Sequence, residues 1–147
     1  MKVTIVSITD SEKDYKTLIQ EYKKRLGKDV TLIDIKPERS WEINKIIQKD
    51  TDNIIRSIEK NDDYKILLTK WWEDLDTMQF KDIIKKYNNI TFVIGWPYWL
   101  DEDKLSGFVN KKMSFGRITL PHLLAKTVLL EQIYRSKTIL ENKSYHY

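Results

Sequence analysis

His122 and His146 are the only histidines among 147 residues, and no cysteine accompanies them. A histidine with a reference pKa of roughly 6.5 accepts a proton near neutrality, so both can serve in proton transfer. Metal chemistry has less to work with, because without thiolates two histidines leave a protein-held zinc short of ligands. His146 sits in the polar tail Ser144-Tyr145-His146-Tyr147, where it is either a proton acceptor or a solvated tail residue with no role. Arg135 offers a planar guanidinium suited to paired hydrogen bonds with phosphate. The competing use is an ion pair with Glu131, one helical turn earlier.

Other chemistries lack their residues. Gly27, Gly95, Gly107 and Gly116 are isolated from one another, so neither the triphosphate-binding nor the dinucleotide-binding glycine loop is present. No serine lies in a nucleophile-elbow setting, and the carboxylates fall on expected helix surfaces.

The elements that must position these residues alternate. Lys2 to Thr9 reads as a strand. Ser11 and Asp14 start a helix carrying Tyr15, Leu18, Ile19, Tyr22 and Leu26, which Gly27 stops. Val30 to Ile35 is a second strand ended by Pro37, after which Ser40 caps a helix with Ile43, Ile46, Ile47, Ile54, Ile55 and Ile58 on one face. Lys65 to Thr69 and Ile90 to Ile94 hold continuous apolar runs, the pattern of central strands covered on both faces. Asp76 to Tyr87 is the helix between them. A short helix near Asp101 to Asn110, a last strand over Ser114 to Leu120 and a helix from Pro121 through Leu140 complete the series. This predicts an α/β fold with a mostly parallel sheet flanked by helices, in one domain spanning 1–147. In such sheets ligands bind beyond the carboxyl ends of the strands, here at Thr69 and Gly95.

The 26 Lys and Arg against 22 Asp and Glu give a charge of +4, compatible with a polyanionic partner. No signal peptide and no membrane-length apolar run is evident, so a cytoplasmic location is expected.

The last third carries Thr119-Leu120-Pro121-His122, then Leu129-Leu130-Glu131-Gln132-Ile133-Tyr134-Arg135-Ser136, then Tyr145-His146, with Val93-Ile94-Gly95 ahead of Pro97 and Leu100. In residues, spacing and order this resembles the ribosomal RNA pseudouridine N3-methyltransferase family of the SPOUT class, along the whole chain. The resemblance implies an S-adenosylmethionine-dependent enzyme acting on the ribosome or large-subunit rRNA. It also implies a homodimer, and a C-terminal helix threaded through a loop into a trefoil knot, an exception to the usual unknotted chain. Cofactor contacts, mostly through backbone atoms, are implied at Leu68, Gly95, Phe115, Gly116, Arg117, Ile118, Thr119 and Leu120. His146, with Arg135, would handle proton removal and RNA positioning as N3 attacks the methyl group. RNA contacts are implied at His122, Lys126, Arg135 and Tyr145. His122 can equally satisfy local backbone or pack at the dimer interface, and Lys126 stands where the family usually has arginine.

The chain departs from the family in its loops. Gly95-Trp96-Pro97-Tyr98-Trp99 retains only the first glycine of a Gly-Gly-x-x-Gly pattern, and Thr69-Lys70-Trp71-Trp72-Glu73 replaces a loop with an acidic residue and a glycine. The sequence stops at Tyr147, where many members continue with a basic residue. Trp71, Trp72, Trp96, Tyr98 and Trp99 are thus expected to form an aromatic cluster at the carboxyl edge of the sheet, suited to stacking or to an interface. The alternative function is a catalytically silent knotted homologue in which tryptophans fill the cofactor space while dimerisation, with or without RNA binding, persists.

Overall fold

A computed structural model describes residues 1–70, 72–95 and 100–146. Trp71, Trp96, Pro97, Tyr98, Trp99 and Tyr147 lie outside the described residues, and with them most of the expected aromatic cluster.

Strands β1 (Lys2–Ile8), β2 (Val30–Ile35), β3 (Tyr64–Leu68), β4 (Asn89–Ile94) and β5 (Lys111–Met113) form a five-stranded sheet in the order β2-β1-β4-β3-β5. Every pairing is parallel. Helices α1 (Lys16–Leu26), α2 (Ile43–Ile58), α3 (Thr77–Lys86), α4 (Glu102–Leu105) and α5 (His122–Leu140) supply the crossovers and the covering layers.

Alternation along the strands divides the core between the two faces. Val3 and Ile5 of β1, Ile66 of β3 and Ile90, Phe92 and Ile94 of β4 pack with Ile19, Leu26, Phe80, Ile84, Leu129, Leu130 and Ile133 from α1, α3 and α5. Val6, Ile8, Leu67 and Val93 point the other way, onto Ile54, Ile55 and Ile58 of α2 and Leu105 of α4. Central strands buried on both sides must be apolar throughout, which is why β3 and β4 show no polar alternation. Thr91 is the exception at 0% exposure, and its hydroxyl donates to Asp63 Oδ2 at 2.6 Å.

Capping accounts for some helix starts and not others. Asp76 and Gln79 form a reciprocal capping box at α3, the arrangement that satisfies two orphan backbone donors at once. Ser11 and Ser40 do not cap. Ser11 Oγ accepts from Lys13 N–H at 3.3 Å and Ser40 Oγ from Glu42 N–H at 3.2 Å, so each hydroxyl shapes the turn before its helix. α1 is preceded by a 3-10 turn over Lys13–Tyr15.

The largest departure from expectation lies at the last strand. Its paired segment is Lys111–Met113 rather than 114–120, extended only by a single bridge from Ser114 to Asp74. Gly116 has a φ of +106°, which no extended strand tolerates, and the chain beyond it leaves the sheet as a loop.

Candidate active site

The carboxyl ends of β3 and β4, the loop 115–121 and the first turn of α5 enclose a cavity of about 490 Å³. That volume is ordinary for a small-molecule site. Leu68, Gly95, Phe115, Gly116, Ile118, Thr119 and Leu120 line it, as do Leu67, Ile94, Leu100 and Ala125. Its polar groups come from Thr69, Lys70, Glu102, Thr119 and His122. Mostly apolar walls with a few polar groups suit a ligand that is largely desolvated but held in one orientation.

Local chemistry keeps this space open. A side chain at Gly95 would place its Cβ 3.3 Å from Leu100 Cγ, a tight contact that the Leu100 side chain would have to relieve by a small shift. Ser114, 3% exposed, ties two cavity loops together. Its Oγ lies 3.1 Å from the Trp72 carbonyl and 3.2 Å from the Gly116 carbonyl, and accepts the Gly116 N–H at 3.2 Å. The positive φ of Gly116 then turns the chain back over the cavity, a conformation that costs any residue with a Cβ.

Behind the first turn of α5 lies an ion cluster. Lys126, with no exposed surface, donates to Glu12 Oε1 at 2.7 Å and Asp34 Oδ1 at 2.8 Å. Ser7 Oγ donates to the same Asp34 oxygen at 3.1 Å and lies 3.0 Å from Thr9 Oγ1. Two carboxylates around one ammonium make its burial tolerable, and they bind α5 to the ends of β1 and β2. Lys126, expected as an RNA contact, is here buried and engaged by these two carboxylates. Half-buried His122 belongs to the cavity wall, and its pKa is lowered, first by burial and then by the Lys126 charge. It is neutral at physiological pH.

At the other end of α5 a second cluster forms. Arg135 Nε donates to Glu131 Oε1 at 2.8 Å, and Arg135 Nη1 lies 3.2 Å from His146 Nδ1. Tyr145 packs edge-on against Tyr134 with ring centroids 4.9 Å apart, under the Arg135 guanidinium at 4.9 Å, and its hydroxyl donates to Glu131 at 3.3 Å. Burial, then its contact with Tyr22, pushes the Tyr145 pKa up to about 12, so the phenol remains a hydrogen-bond donor. Glu131 raises the Arg135 pKa further. The tail is thus folded onto α5, with the imidazole of His146 exposed beside the Arg135 guanidinium.

Of the residues singled out in the sequence, seven of the eight expected cofactor contacts meet at the cavity. The eighth, Arg117, is exposed and is not among the lining residues. Arg135, Tyr145 and His146 meet one another instead. Thirteen residues separate His122 from Arg135, which along a helix is about 20 Å. Ser114, Glu102 and the partners of Lys126 had no detectable pattern in the sequence. Trp72 is 53% exposed, with Lys112 Nζ 5.0 Å from its ring, and does not line the cavity.

Residues 1–146 match the family described as Predicted SPOUT methyltransferase. Two bacterial proteins, each bearing the name ribosomal RNA large subunit methyltransferase H, align end to end. The one from Mycoplasma mobile is 36% identical over 148 residues, covering 99% of both chains. That from Pseudothermotoga lettingae is 32% identical over 154 residues, covering all of both. A protein of Methanococcus vannielii with the same name, marked putative, is 34% identical over 163 residues, covering 99% of both.

Proposed function

We propose that this chain, which belongs to the SPOUT methyltransferase family, methylates large-subunit ribosomal RNA from S-adenosylmethionine, at N3 of a pseudouridine. The observation that carries the reading is the cavity at Gly95 and the 115–121 loop, which gathers residues at which the resemblance implies cofactor contacts. The relatives' names supply the class of RNA.

The cavity fits the cofactor on its own terms. It has the volume for a nucleoside-sized ligand, apolar walls for an adenine, and polar residues at Thr69, Lys70 and Glu102 for the hydroxyl and amino-acid ends. The bound group supplies an electrophilic methyl on a sulfonium, which departs as the thioether when the C–S bond breaks. This chain's residues do the rest. Leu68, Gly95 and the loop through Leu120 hold the donor in a dry pocket. Arg135 places the RNA, and His146 accepts the N3 proton as the nitrogen pair forms the new N–C bond.

One chain does not bring these groups together, because α5 holds the cavity and the tail about 20 Å apart. A homodimer in which the tail of one copy closes the cavity of the other resolves the separation. Exposed apolar side chains support it: Ile118 at the cavity is 80% exposed. The trefoil knot of the class, a single 1–147 domain and a cytoplasmic location complete the reading; no described helix is long and apolar enough to cross a membrane. The family match and the names of the end-to-end relatives weigh against the silent homologue.

Titration calorimetry with S-adenosylmethionine, followed by methyl transfer to large ribosomal subunits with mass spectrometry of the modified nucleotide, tests the proposal. Micromolar binding and a single N3-methylpseudouridine are expected. Absence of binding at millimolar concentration overturns it.

A further inference from the structure

Trp41 is the most exposed large hydrophobic residue described, at 104% of its reference surface. A tryptophan is usually largely buried, so full exposure forgoes a burial gain on a large ring. Isolated exposed apolar residues are common; three further features single this one out.

First, the segment bearing it is fastened. Glu38 N–H donates to Oδ1 of Asp50, itself 1% exposed, at 2.8 Å, and Ser40 Oγ takes the Glu42 N–H. Burial raises the Asp50 pKa while the Glu38 N–H opposes the rise. The indole therefore stands on an anchored turn between β2 and α2. Second, cations flank it in shallow, open pairings. Arg39 is 86% exposed and touches Asp10 only at 3.5 Å, and Lys45 is 67% exposed and 3.6 Å from Glu42. Such pairs are worth little, so a phosphate can displace either carboxylate. Lys36 adds a third exposed cation, against Glu38 and Glu42.

Third, the turn lies on the same sheet edge as the cavity and is physically continuous with it. His122 and Ala125 line the cavity, Lys126 joins them to Glu12 and Asp34, and Asp10, two residues before Glu12, meets Arg39. β2 is separated from β4 by β1 alone, which puts the base of the turn about 10–15 Å from the cavity at ordinary strand spacing. A few nucleotides of single-stranded RNA span that.

Resting on the proposed function, we infer that Trp41, with Arg39 and Lys45, is an RNA-docking platform on which an unpaired base near the target nucleotide stacks while its phosphates meet the two cations. The platform sets affinity for the ribosomal substrate and takes no part in the chemistry.

The test is steady-state methylation of large ribosomal subunits by the wild type, Trp41→Ala and Trp41→Phe, with S-adenosylmethionine affinity and molecular mass measured in parallel. Trp41→Ala raises the KM for ribosomal particles about thirtyfold, the middle of the range for one lost base–aromatic stack. Its kcat, cofactor affinity and mass stay at wild-type values, and Trp41→Phe restores most of the KM. Arg39→Ala reduces the salt dependence of KM. An unchanged KM for Trp41→Ala beside an active wild type overturns the platform alone, and so does a change in mass, which places the indole between copies of the chain. A wild type that methylates no ribosomal particle overturns the functional reading itself.

Discussion

The two ends of α5 solve opposite problems. At its start, His122, Ala125 and Lys126 sit against strand ends and a turned-back loop. Side chains there are enclosed, charges are neutralised by short internal contacts, and the imidazole is held neutral. At its finish, Arg135 and Tyr145 are held by aromatic edges and one shared carboxylate, with exposed His146 beside the Arg135 guanidinium. The first end lines a cavity. The second leaves an imidazole exposed beside a guanidinium. The proposed methyl transfer to RNA would use both, and would need them brought together from different places.

Separating the two ends by mutation gives the largest effect. His146→Ala lowers kcat for RNA methylation by about a hundred- to ten-thousandfold, the range for a lost general base, while calorimetry shows S-adenosylmethionine affinity unchanged. Equal losses in cofactor affinity and kcat would merge the two regions. Gly116→Val does the reverse, forcing a β-branched residue into positive φ and abolishing cofactor binding. Mixing the two inactive variants then restores about a quarter of wild-type activity, because half the dimers are mixed and each has one intact composite site. No recovery would mean that each chain completes its own site.

Smaller effects sharpen the contrast. Lys126→Met leaves Glu12 and Asp34 without their shared cation. Both carboxylates keep some contact with water, so the loss is about 2–3 kcal/mol by denaturant unfolding rather than the 3–5 typical of a fully buried pair. Arg135→Met, breaking the shallower pair with Glu131, costs less than 1 kcal/mol of stability by the same method. The smallest effect is one of pH. The His122 pKa is depressed in the folded state, so the unfolded chain binds its proton first. Stability from this group is fully present above the unfolded value near 6.5 and is lost as pH falls through the folded pKa. His122→Gln should flatten the decline in melting temperature between about pH 7 and 5.

Much of this arrangement was legible in the sequence because periodicity reports burial. The apolar runs of β3 and β4, the α2 face bearing Ile46, Ile54, Ile55 and Ile58, and the Asp76 start of α3 all follow from which faces are covered, whereas Ile43, expected on the same α2 face, is 51% exposed. The mistaken last strand shows the limit. Ser114 to Leu120 has strand-like composition, yet one glycine at positive φ and one buried hydroxyl turn it into the cavity loop. Periodicity contains no signal for a single dihedral angle. Lys126 shows another limit: the resemblance marked it as an RNA contact, while the partners that surround it in the fold lie 114 and 92 positions away, with no pattern in the sequence to join them. The cavity residues were identified through family resemblance, because backbone-lined pockets leave little side-chain signature.

The length of α5 has an evolutionary corollary. Since one uninterrupted helix runs from His122 to Leu140, a residue inserted or deleted between the cavity and Arg135 shifts the tail by only about 1.5 Å but swings it by about 100°. Natural variation between those points should therefore proceed by substitution, with gaps confined to the surface loops. On the proposed composite site, the number of residues separating Pro121 from Arg135 would be as constrained as the identity of either.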